Sequence, residues 1–150
     1  MQCDYEESLI WLVHKANLQL KNSLHKDLKD FNITTEQWGI LNKLHMQDKC
    51  NQKELANKCY KDQAALTRIL DILEKRELVH REKSPHDRRE FLITITHEGR
   101  HLVDKLRPHV QESIAKTHAE LADDERSLLR DLLKKLTANL EKEDSCQTES

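Results

Sequence analysis

The sequence contains very few glycines and prolines, with two of each in 150 residues. Two glycines cannot supply the tight turns of an all-β sandwich or barrel, and they cannot form a glycine-rich phosphate loop. Aromatic residues make up only 4% of the chain, too few for the base-stacking sheet of an RNA-recognition module. The composition therefore excludes several β-rich and nucleotide-binding classes.

Long apolar runs are also absent. The longest, residues 9–13, is far shorter than the roughly 20 residues that span a bilayer. No basic and then apolar leader opens the chain, so we expect a cytoplasmic protein without a membrane partner. The four cysteines have no C-x-x-C spacing, and we expect reduced thiols at Cys3, Cys50, Cys59 and Cys146.

The sequence lacks a recognisable catalytic constellation. No Ser–His–Asp set or carboxylate pair has a defensible spacing, so we predict that the protein is not an enzyme and has no cofactor. The net charge of −2 argues against indiscriminate binding to polyanions. Residues 61–90 nevertheless contain eight Lys and Arg against seven Asp and Glu, whereas residues 120–150 contain five against nine. A local positive face is compatible with this uneven distribution.

The dominant pattern is helical, with apolar residues at every third or fourth position. Thr34, Asn51 and Asp62 are suited to cap helices, and the first two are followed three positions later by Gln or Glu. Pro108 lies inside the fifth predicted helix, where we expect a kink. We predict six helices, at about residues 5–28, 34–47, 51–59, 63–76, 96–121 and 123–142.

The periodicity changes from helical to extended between the fourth and fifth helices. Residues 78–83 and 90–95 are rich in β-branched and apolar types, and the polar segment 84–89 between them contains a proline. This pattern predicts a β-hairpin whose tip projects into solvent. Two short helices followed by a hairpin form a winged helix-turn-helix. We therefore predict a mainly α fold with a small β-hairpin wing, in which residues 34–96 form the winged helix lobe.

The start of the fourth helix has the composition of a surface that contacts DNA bases. Gln pairs with adenine, Arg with guanine or phosphate, and small residues allow close approach to base edges. The first part of the second helix in a helix-turn-helix faces the bases. An ordinary surface helix with a polar first turn fits the same residues. On the DNA-binding interpretation, the residues that contact the major groove are Gln63, Ala64, Ala65, Thr67 and Arg68.

The predicted tip of the wing contains Asp87, Arg88 and Arg89. Paired arginines on a projecting loop suit a narrow minor groove, where the potential is most negative. We expect Asp87 to pair with one guanidinium and hold it at a fixed angle. A solvated charged turn is the alternative interpretation.

The predicted start of the third helix contains Asn51, Gln52 and Lys53. Free amide groups and a lysine at a helix N-terminus attract anions. We therefore predict that these residues contact DNA phosphates.

Residues 65–79, the wing motif at 87–89 and the segment 93–99 keep a characteristic relative spacing. Together they resemble the MarR family of bacterial winged-helix transcription regulators, and the resemblance extends over nearly the whole chain. One departure is Glu77, where the family commonly has glycine. A positive φ angle at this position would cost glutamate about 1 kcal/mol.

The resemblance implies a homodimer in which the N-terminal helix and the last two helices interleave between subunits. On this basis residues 4–30 and 97–142 are dimerisation helices, and residues 143–150 are a flexible tail. Leucine-rich stripes at both ends of the chain are compatible with such an interface. An intramolecular helical bundle is the alternative. A two-fold dimer places its recognition helices one turn of DNA apart and predicts a near-palindromic site.

The resemblance also implies a response to small aromatic acids, oxidants or metals. By analogy, a pocket for a small aromatic effector would be lined by Trp11, His14, Trp38 and His45, although Trp38 also fits the core. Cys50 lies beside Lys49 and a helix N-terminus, which would lower the pKa of its thiol and favour oxidant sensing.

His97 and His101 are four residues apart on one helix, a spacing that suits metal ligands. A zinc site needs three or four ligands and no third one can be assigned, so we interpret both as histidines on a solvated face and predict no metal site.

We conclude from the sequence that the protein is a sequence-specific, dimeric DNA-binding transcription regulator, a repressor that a ligand relieves. The alternatives are a winged-helix module that binds a protein partner and an oxidant-sensing regulator that uses Cys50.

Overall fold

The computed structural model of the chain describes residues 5–47 and 49–147, the last five by their backbone only. Cys3, the side chain of Cys146 and the end of the predicted tail lie outside the described residues. Two short 3-10 turns, Tyr5–Glu7 and Lys29–Phe31, flank the first helix. The main elements are α1 (Leu9–Leu28), α2 (Thr35–His45), β1 (Cys50–Asn51), α3 (Gln52–Lys58), α4 (Gln63–Lys75), β2 (Val79–Lys83), β3 (Phe91–Ile95), α5 (His97–Thr117) and α6 (Asp123–Gln147). The predicted fold class, mainly helical with a β-hairpin wing, is confirmed.

The chain divides into two compact units, residues 1–113 and 114–150. The first unit contains the winged helix, and its core is formed by fully buried aliphatic side chains from α2, α3, α4, β3 and α5, among them Leu41, Leu55, Leu66, Leu70, Ile93 and Leu106. None of the described helices is both long and apolar enough to span a membrane.

The three predicted capping residues begin their helices. Thr34 and Asn51 each form a complete capping box, with Gln37 and Glu54 as the respective partners. The carboxylate of Asp62 accepts a hydrogen bond of 2.7 Å from the backbone N–H of Ala65. Because each cap satisfies backbone donors that the helix leaves unpaired, these side chains fix where α2, α3 and α4 start.

The sheet has a third strand that the sequence did not predict. Its order is β1-β3-β2 and its pairings are antiparallel. Cys50 lies opposite Ile93, and Asn51 lies opposite Leu92. Because β1 leads directly into α3, this pairing holds the N-terminus of α3 next to the base of the wing.

Glu77 has a φ angle of 57°, in the left-handed region that favours glycine. It ends α4 in a Schellman motif, with hydrogen bonds from Leu78 N–H to Leu73 O and from Glu77 N–H to Glu74 O, both 2.9 Å long. Leu73 and Leu78 are both buried in the core. Glu77, which stands where the resemblance predicts a glycine, therefore has a strained backbone conformation.

We expect Glu77→Gly to raise the free energy of unfolding by about 1 kcal/mol, because glycine removes the left-handed penalty. Urea denaturation measures this change. The matched control, Lys75→Gly, lies within α4 and should destabilise by about 1 kcal/mol. A destabilised Glu77→Gly protein would contradict the proposed strain.

The segment after the wing joins the end of α4 to the start of α5. The Thr96 hydroxyl donates to the carbonyl oxygen of Glu77 at 2.7 Å and accepts from the N–H of Gly99 at 3.0 Å. A Cβ at Gly99 would overlap the carbonyl oxygen of Leu78 and lie 2.7 Å from Cγ1 of Ile95. Gly99 therefore allows α5 to approach the backbone that follows α4.

The last two helices differ in length from the prediction. α5 continues through Pro108 to Thr117, and α6 extends to Gln147, beyond the predicted end at residue 142. Residues 141–147 contain helix-favouring Glu and Lys and no Gly or Pro that would end the helix.

Candidate nucleic-acid interface

The three predicted groups of DNA-binding residues meet at one cleft. It has a volume of about 230 Å³ and lies between the starts of α3 and α4 and the base of the wing. All three predicted phosphate-contacting residues line it, together with Gln63 of α4 and Arg89 of the wing. Glu90 and Phe91 complete its walls. The fold therefore brings together predicted residues that are as far apart in the sequence as Asn51 and Arg89.

A chain of hydrogen bonds connects α3 to α4 at this cleft. The side-chain amide of Gln52 donates to the hydroxyl of Thr67 at 2.7 Å, and that hydroxyl donates to the carbonyl oxygen of Gln63 at 2.7 Å. Gln52 and Thr67, expected to contact phosphate and base respectively, thus also bind each other. This contact fixes the position of α4 relative to α3.

The remaining predicted groups on α3 and α4 are accessible. Lys53, Gln63, Ala64 and Arg68 are exposed, whereas Ala65 is half-buried. The exposed side has no large side chain before Arg68, so the backbone of α4 can approach a groove closely.

The tip of the wing is a compact loop. The buried hydroxyl of Ser84 accepts hydrogen bonds from the N–H groups of His86 and Asp87, at 3.2 and 3.4 Å. The Asp87 carboxylate accepts from the backbone N–H of Arg89 at 2.9 Å. Between residues 5 and 142, no ion pair joins Asp87 to Arg88 or Arg89, so the carboxylate orients the loop through the backbone. Both arginine side chains are exposed.

An ion-pair network fixes the wing to α4. The guanidinium of Arg81 on β2 donates to Glu74 at 2.7 and 2.9 Å and to Asp71 at 2.6 Å. The Glu74 carboxylate also accepts from the backbone N–H of Arg81 at 3.0 Å. The side chain of Arg81 is only 19% exposed, which strengthens these contacts relative to a fully solvated pair. These contacts connect β2, the first strand of the wing, directly to α4.

Comparison with known proteins agrees with this geometry. The family model of the MarR family matches residues 33–91. The HTH-type transcriptional regulator YhbI of Bacillus subtilis is 33% identical over 117 residues, which cover 78% of this chain and 76% of the relative. The chain belongs to the MarR family. It is a DNA-binding transcriptional regulator.

Solved structures of MarR-family proteins have the same fold. A mutant of MarR from E. coli, complexed with operator DNA, matches with a TM-score of 0.81 and 29% identity, covering 85% of this chain and 92% of that one. BpsR of Bordetella bronchiseptica, whose DNA binding is regulated by 6-hydroxynicotinic acid, matches with a TM-score of 0.83 and 26% identity. The matched regions cover 89% of this chain and 95% of BpsR.

The Arg81 network gives this MarR-family chain a pH dependence. Hydrogen bonds from Arg81 are the main reason why the pKa of Glu74 lies below its ordinary value of 4.5. A carboxyl with a lower pKa in the folded state stabilises the fold above its unfolded pKa, and this contribution is lost as the pH falls through the folded pKa. The network should therefore weaken below about pH 4.5.

We expect Glu74→Gln to destabilise the protein by about 1 kcal/mol at neutral pH, because a charged acceptor becomes neutral. The difference from the unsubstituted protein should shrink as the pH falls below 4.5 and through the lowered pKa of Glu74. Urea denaturation across this pH range measures both effects. Glu77→Gln, at an exposed site, is the control and should leave the profile unchanged. A pH-independent difference for Glu74→Gln would contradict the interpretation.

The residues predicted to line an effector pocket have separate surroundings. Trp11 packs against His14 and Tyr5, with ring centroids 5.8 and 5.4 Å apart, respectively. Trp38 is only 8% exposed and belongs to the core. Nε2 of His45 contacts Asp104 on α5 at 3.0 Å, and its Nδ1 accepts from Arg107 at 3.1 Å. Since a guanidinium only donates, this arrangement places the imidazole proton on Nε2.

The environment of Cys50 is the opposite of the one expected. The residue is 4% exposed, and burial raises the pKa of its thiol. Lys49, expected to lower that pKa, pairs with Glu82 instead. Burial also raises the pKa of Cys59. Because the thiolate is the reactive form, neither site favours oxidation.

His97 and His101 are exposed on α5. Within the described part of the chain, no group of three or more His, Cys, Asp or Glu side chains is placed to hold a metal ion.

Sequence reasoning missed several residues at the interface. Glu90 and Phe91 line the cleft, and Phe91 is 41% exposed although it is large and apolar. Alternation places Phe91 on the same face of β3 as the buried Ile93 and Ile95, so the pattern of the strand gave no signal for its exposure. The Arg81 network had no local signal either, because its partners lie on a different element.

Proposed function

We propose that this chain represses transcription as a homodimer that binds a near-palindromic operator, and that a small molecule relieves this repression. The observation that carries the proposal is the cleft where α3, α4 and the wing meet. A surface that combines base-reading, phosphate-binding and wing residues fits one continuous stretch of duplex DNA.

In the proposed complex, the start of α4 lies in the major groove. Gln63, Ala64, Ala65, Thr67 and Arg68 face the bases there. The accompanying phosphate contacts come from Asn51, Gln52 and Lys53 at the start of α3.

The wing lies in the adjacent minor groove. Arg88 and Arg89 enter it, and Asp87 keeps the loop in shape through the backbone N–H of Arg89. The Arg81 network supports this arrangement because it prevents the wing from moving independently of α4.

The proposed homodimer is supported by the apolar stripe of α6. Its leucines recur at helical spacing and are 40–60% exposed: Leu128, Leu129, Leu132, Leu133, Leu136 and Leu140. A stripe of this length on a solvent-facing helix is typical of a subunit interface. A second copy of the chain is the proposed partner, since identical stripes are self-complementary about a two-fold axis.

The N-terminal helix also has a large exposed apolar surface. Leu9 and Ile10 are 74% and 79% exposed, and Leu12, Val13, Leu18 and Leu20 are between 42% and 48% exposed. α1 is therefore proposed to contribute to the same homodimer.

Ligand relief is proposed as a change in the separation of the two recognition helices. A compound that binds only the dimer with the altered separation shifts the population away from the form that fits two successive major grooves. The regulation of BpsR by 6-hydroxynicotinic acid is a precedent among the structural neighbours.

Selection of bound duplexes from a random DNA pool tests the proposal. Enrichment of a site with two inverted half-sites, about 10 base pairs apart from centre to centre, is the expected result. Repeating the selection in the presence of small organic acids tests whether such compounds weaken DNA binding. Failure to enrich any sequence would contradict the proposed operator and favour a protein-binding role for the winged helix.

The homodimer makes a separate prediction. Sedimentation should give twice the chain mass of 17.7 kDa, and Leu132→Glu should weaken dimerisation at least about tenfold, because it places a charge in the apolar stripe. Ala138→Glu adds the same charge on the opposite face of α6 and is the control. Equal sedimentation of the two variants would contradict the α6 interface.

A further inference from the structure

The side chain of Thr67 on α4 lies between two hydrogen-bonding partners, Gln52 and Gln63, which both line the cleft where α3, α4 and the wing meet. Its oxygen Oγ1 is 2.7 Å from the side-chain nitrogen Nε2 of Gln52 and 2.7 Å from the backbone carbonyl oxygen of Gln63. Both distances are those of well-formed hydrogen bonds. The hydroxyl of Thr67 is therefore engaged from two sides in the free protein.

The single proton of this hydroxyl has only one position that satisfies both contacts. A backbone carbonyl oxygen only accepts, so the Thr67 proton lies on the bond to Gln63. Gln52 must then present its NH2 group to Thr67, not its carbonyl oxygen, which fixes the orientation of the amide. The Thr67 hydroxyl consequently has no donor left for DNA, and one of its two lone pairs is already used.

The methyl group of Thr67 is the part of the side chain that these two bonds leave free. Thr67 follows Gln63 by four residues and Ala64 by three, so the three side chains lie on one face of α4. Gln63 and Ala64 are exposed, and Thr67 is half-buried. Among the base edges of the major groove, thymine is distinguished by its C5 methyl group, which makes apolar contacts with threonine methyl groups and with alanine.

Gln52 selects the rotamer of Thr67. A threonine in a helix divides between two rotamers, because its hydroxyl can bond the carbonyl of either the third or the fourth preceding residue. The observed bond is to Gln63, the fourth preceding residue, and the amide of Gln52 reaches Oγ1 in this rotamer. In the other rotamer the oxygen and the methyl group would have different directions. The contact with Gln52 therefore also fixes the direction of the methyl group.

We propose that Thr67 recognises thymine through its methyl group, and that Gln52 is a positioning residue that holds this group toward the bases. The second N–H of the Gln52 amide stays available for the phosphate contact proposed above. Thymine recognition rests on the proposed function, whereas the hydrogen bond between Gln52 and Thr67 does not depend on DNA.

Replacing thymine by uracil in the selected DNA site tests the contact. Uracil pairs with adenine as thymine does and lacks only the C5 methyl group. We expect one position in the half-site at which a single replacement weakens binding of the unsubstituted protein about fourfold, the effect of one buried methyl group. Fluorescence anisotropy with synthetic duplexes, each carrying one replacement, measures the ratio of the affinities for thymine and uracil.

Two nearly isosteric variants separate the methyl group of Thr67 from its hydroxyl. Thr67→Ser keeps the hydroxyl and lacks the methyl group, so it should lose the preference for thymine. Thr67→Val keeps a methyl group and lacks the hydroxyl, so it should keep a preference of about fourfold even where its overall affinity falls. A preference that Thr67→Ser retains, or that Thr67→Val loses, would assign recognition to the remaining lone pair of the hydroxyl and overturn the proposal. Thermal melting checks that both variants fold.

Gln52→Met tests the positioning role, because methionine has a similar length and no amide. Thr67 can then occupy both rotamers, so the preference for thymine should fall between those of the unsubstituted protein and Thr67→Ser. A purely structural loss would weaken binding to thymine and uracil equally and would contradict the role. Asn57→Met, the same kind of change at an exposed position on α3, is the control and should keep the full preference.

The hydrogen bond between Gln52 and Thr67 is measured without DNA. In a double-mutant cycle of Gln52→Met and Thr67→Val, urea denaturation should give a coupling of about fivefold in the unfolding equilibrium constant, the usual contribution of one hydrogen bond. Additive effects would show that Gln52 does not hold Thr67.

The failure of this proposal is distinguishable from the failure of the proposed function. If no DNA site is selected, the proposed function is wrong and thymine recognition falls with it, but the result of the double-mutant cycle stands. If a site is selected and none of its thymines is sensitive to replacement by uracil, the thymine contact alone is wrong.

Discussion

Gly99→Ala should lower the free energy of unfolding by roughly 1–3 kcal/mol, the usual cost of overpacking a well-packed site. The added methyl group would overlap the carbonyl oxygen of Leu78. That oxygen also accepts a hydrogen bond from the backbone N–H of Thr96 at 3.1 Å, so it cannot move without loosening the connection between α4 and α5. The nearest other atom, Cγ1 of Ile95, belongs to a buried side chain.

Gly39→Ala is the matched control, because it makes the same change at the only other glycine in the sequence. The added methyl group meets open space, and alanine favours the helix, so we expect stabilisation by about 0.5–1 kcal/mol. Urea denaturation measures the change in the free energy of unfolding of each variant. If both substitutions shift stability in the same direction, the close approach at Gly99 does not limit packing.

Features set by neighbouring residues could be predicted from the sequence. Thr34, Asn51 and Asp62 cap helices through contacts within three residues, and each was identified correctly. The change in periodicity at residue 78 located the wing for the same reason. The local chemistry of caps and strands was sufficient to predict the order of the helices and the position of the hairpin.

Features that depend on distant pairing could not be predicted. β1 has only two residues, and its partners on β3 lie about 40 positions further along the chain. Burial within the fold is the main reason why the pKa of the Cys50 thiol is raised, and Lys49 pairs with the distant Glu82, so an argument from the neighbouring Lys49 gave the wrong direction. Proximity in the chain was a poor guide because burial and ion pairing both depend on residues that are distant in the sequence.

The candidate site combines both kinds of information. Residue types predicted three groups of residues that contact DNA, but only the fold shows that Asn51, Gln63 and Arg89 line one cleft. The partner of Asp87 illustrates the limit, because charge alone suggested a guanidinium where the structure has a backbone N–H.

Replacing Arg88 or Arg89 with alanine should reduce affinity for the selected DNA by about 1–3 kcal/mol each. Both side chains are exposed at the tip of a loop that Ser84 and Asp87 hold in shape. We therefore expect the substitutions to leave the structure of the free protein nearly unchanged. The double variant should lose affinity at least about a hundredfold, since each 1.4 kcal/mol is a factor of ten. Electrophoretic mobility shift or fluorescence anisotropy measures the affinity, and thermal melting should be unchanged.

The salt dependence of binding separates groove contacts from general attraction. Each phosphate contact contributes about −0.9 to the slope of log affinity against log salt concentration. Lys53→Ala, at the predicted phosphate site, should reduce the magnitude of the slope by about one and weaken all sequences alike. An arginine inserted into a minor groove also responds to groove width, so the Arg88 and Arg89 variants should lose preference for A·T-rich flanks as well as affinity. Wing variants that keep full affinity and the same sequence preference would show that the wing is a solvated turn, and DNA recognition would then rest on α3 and α4 alone.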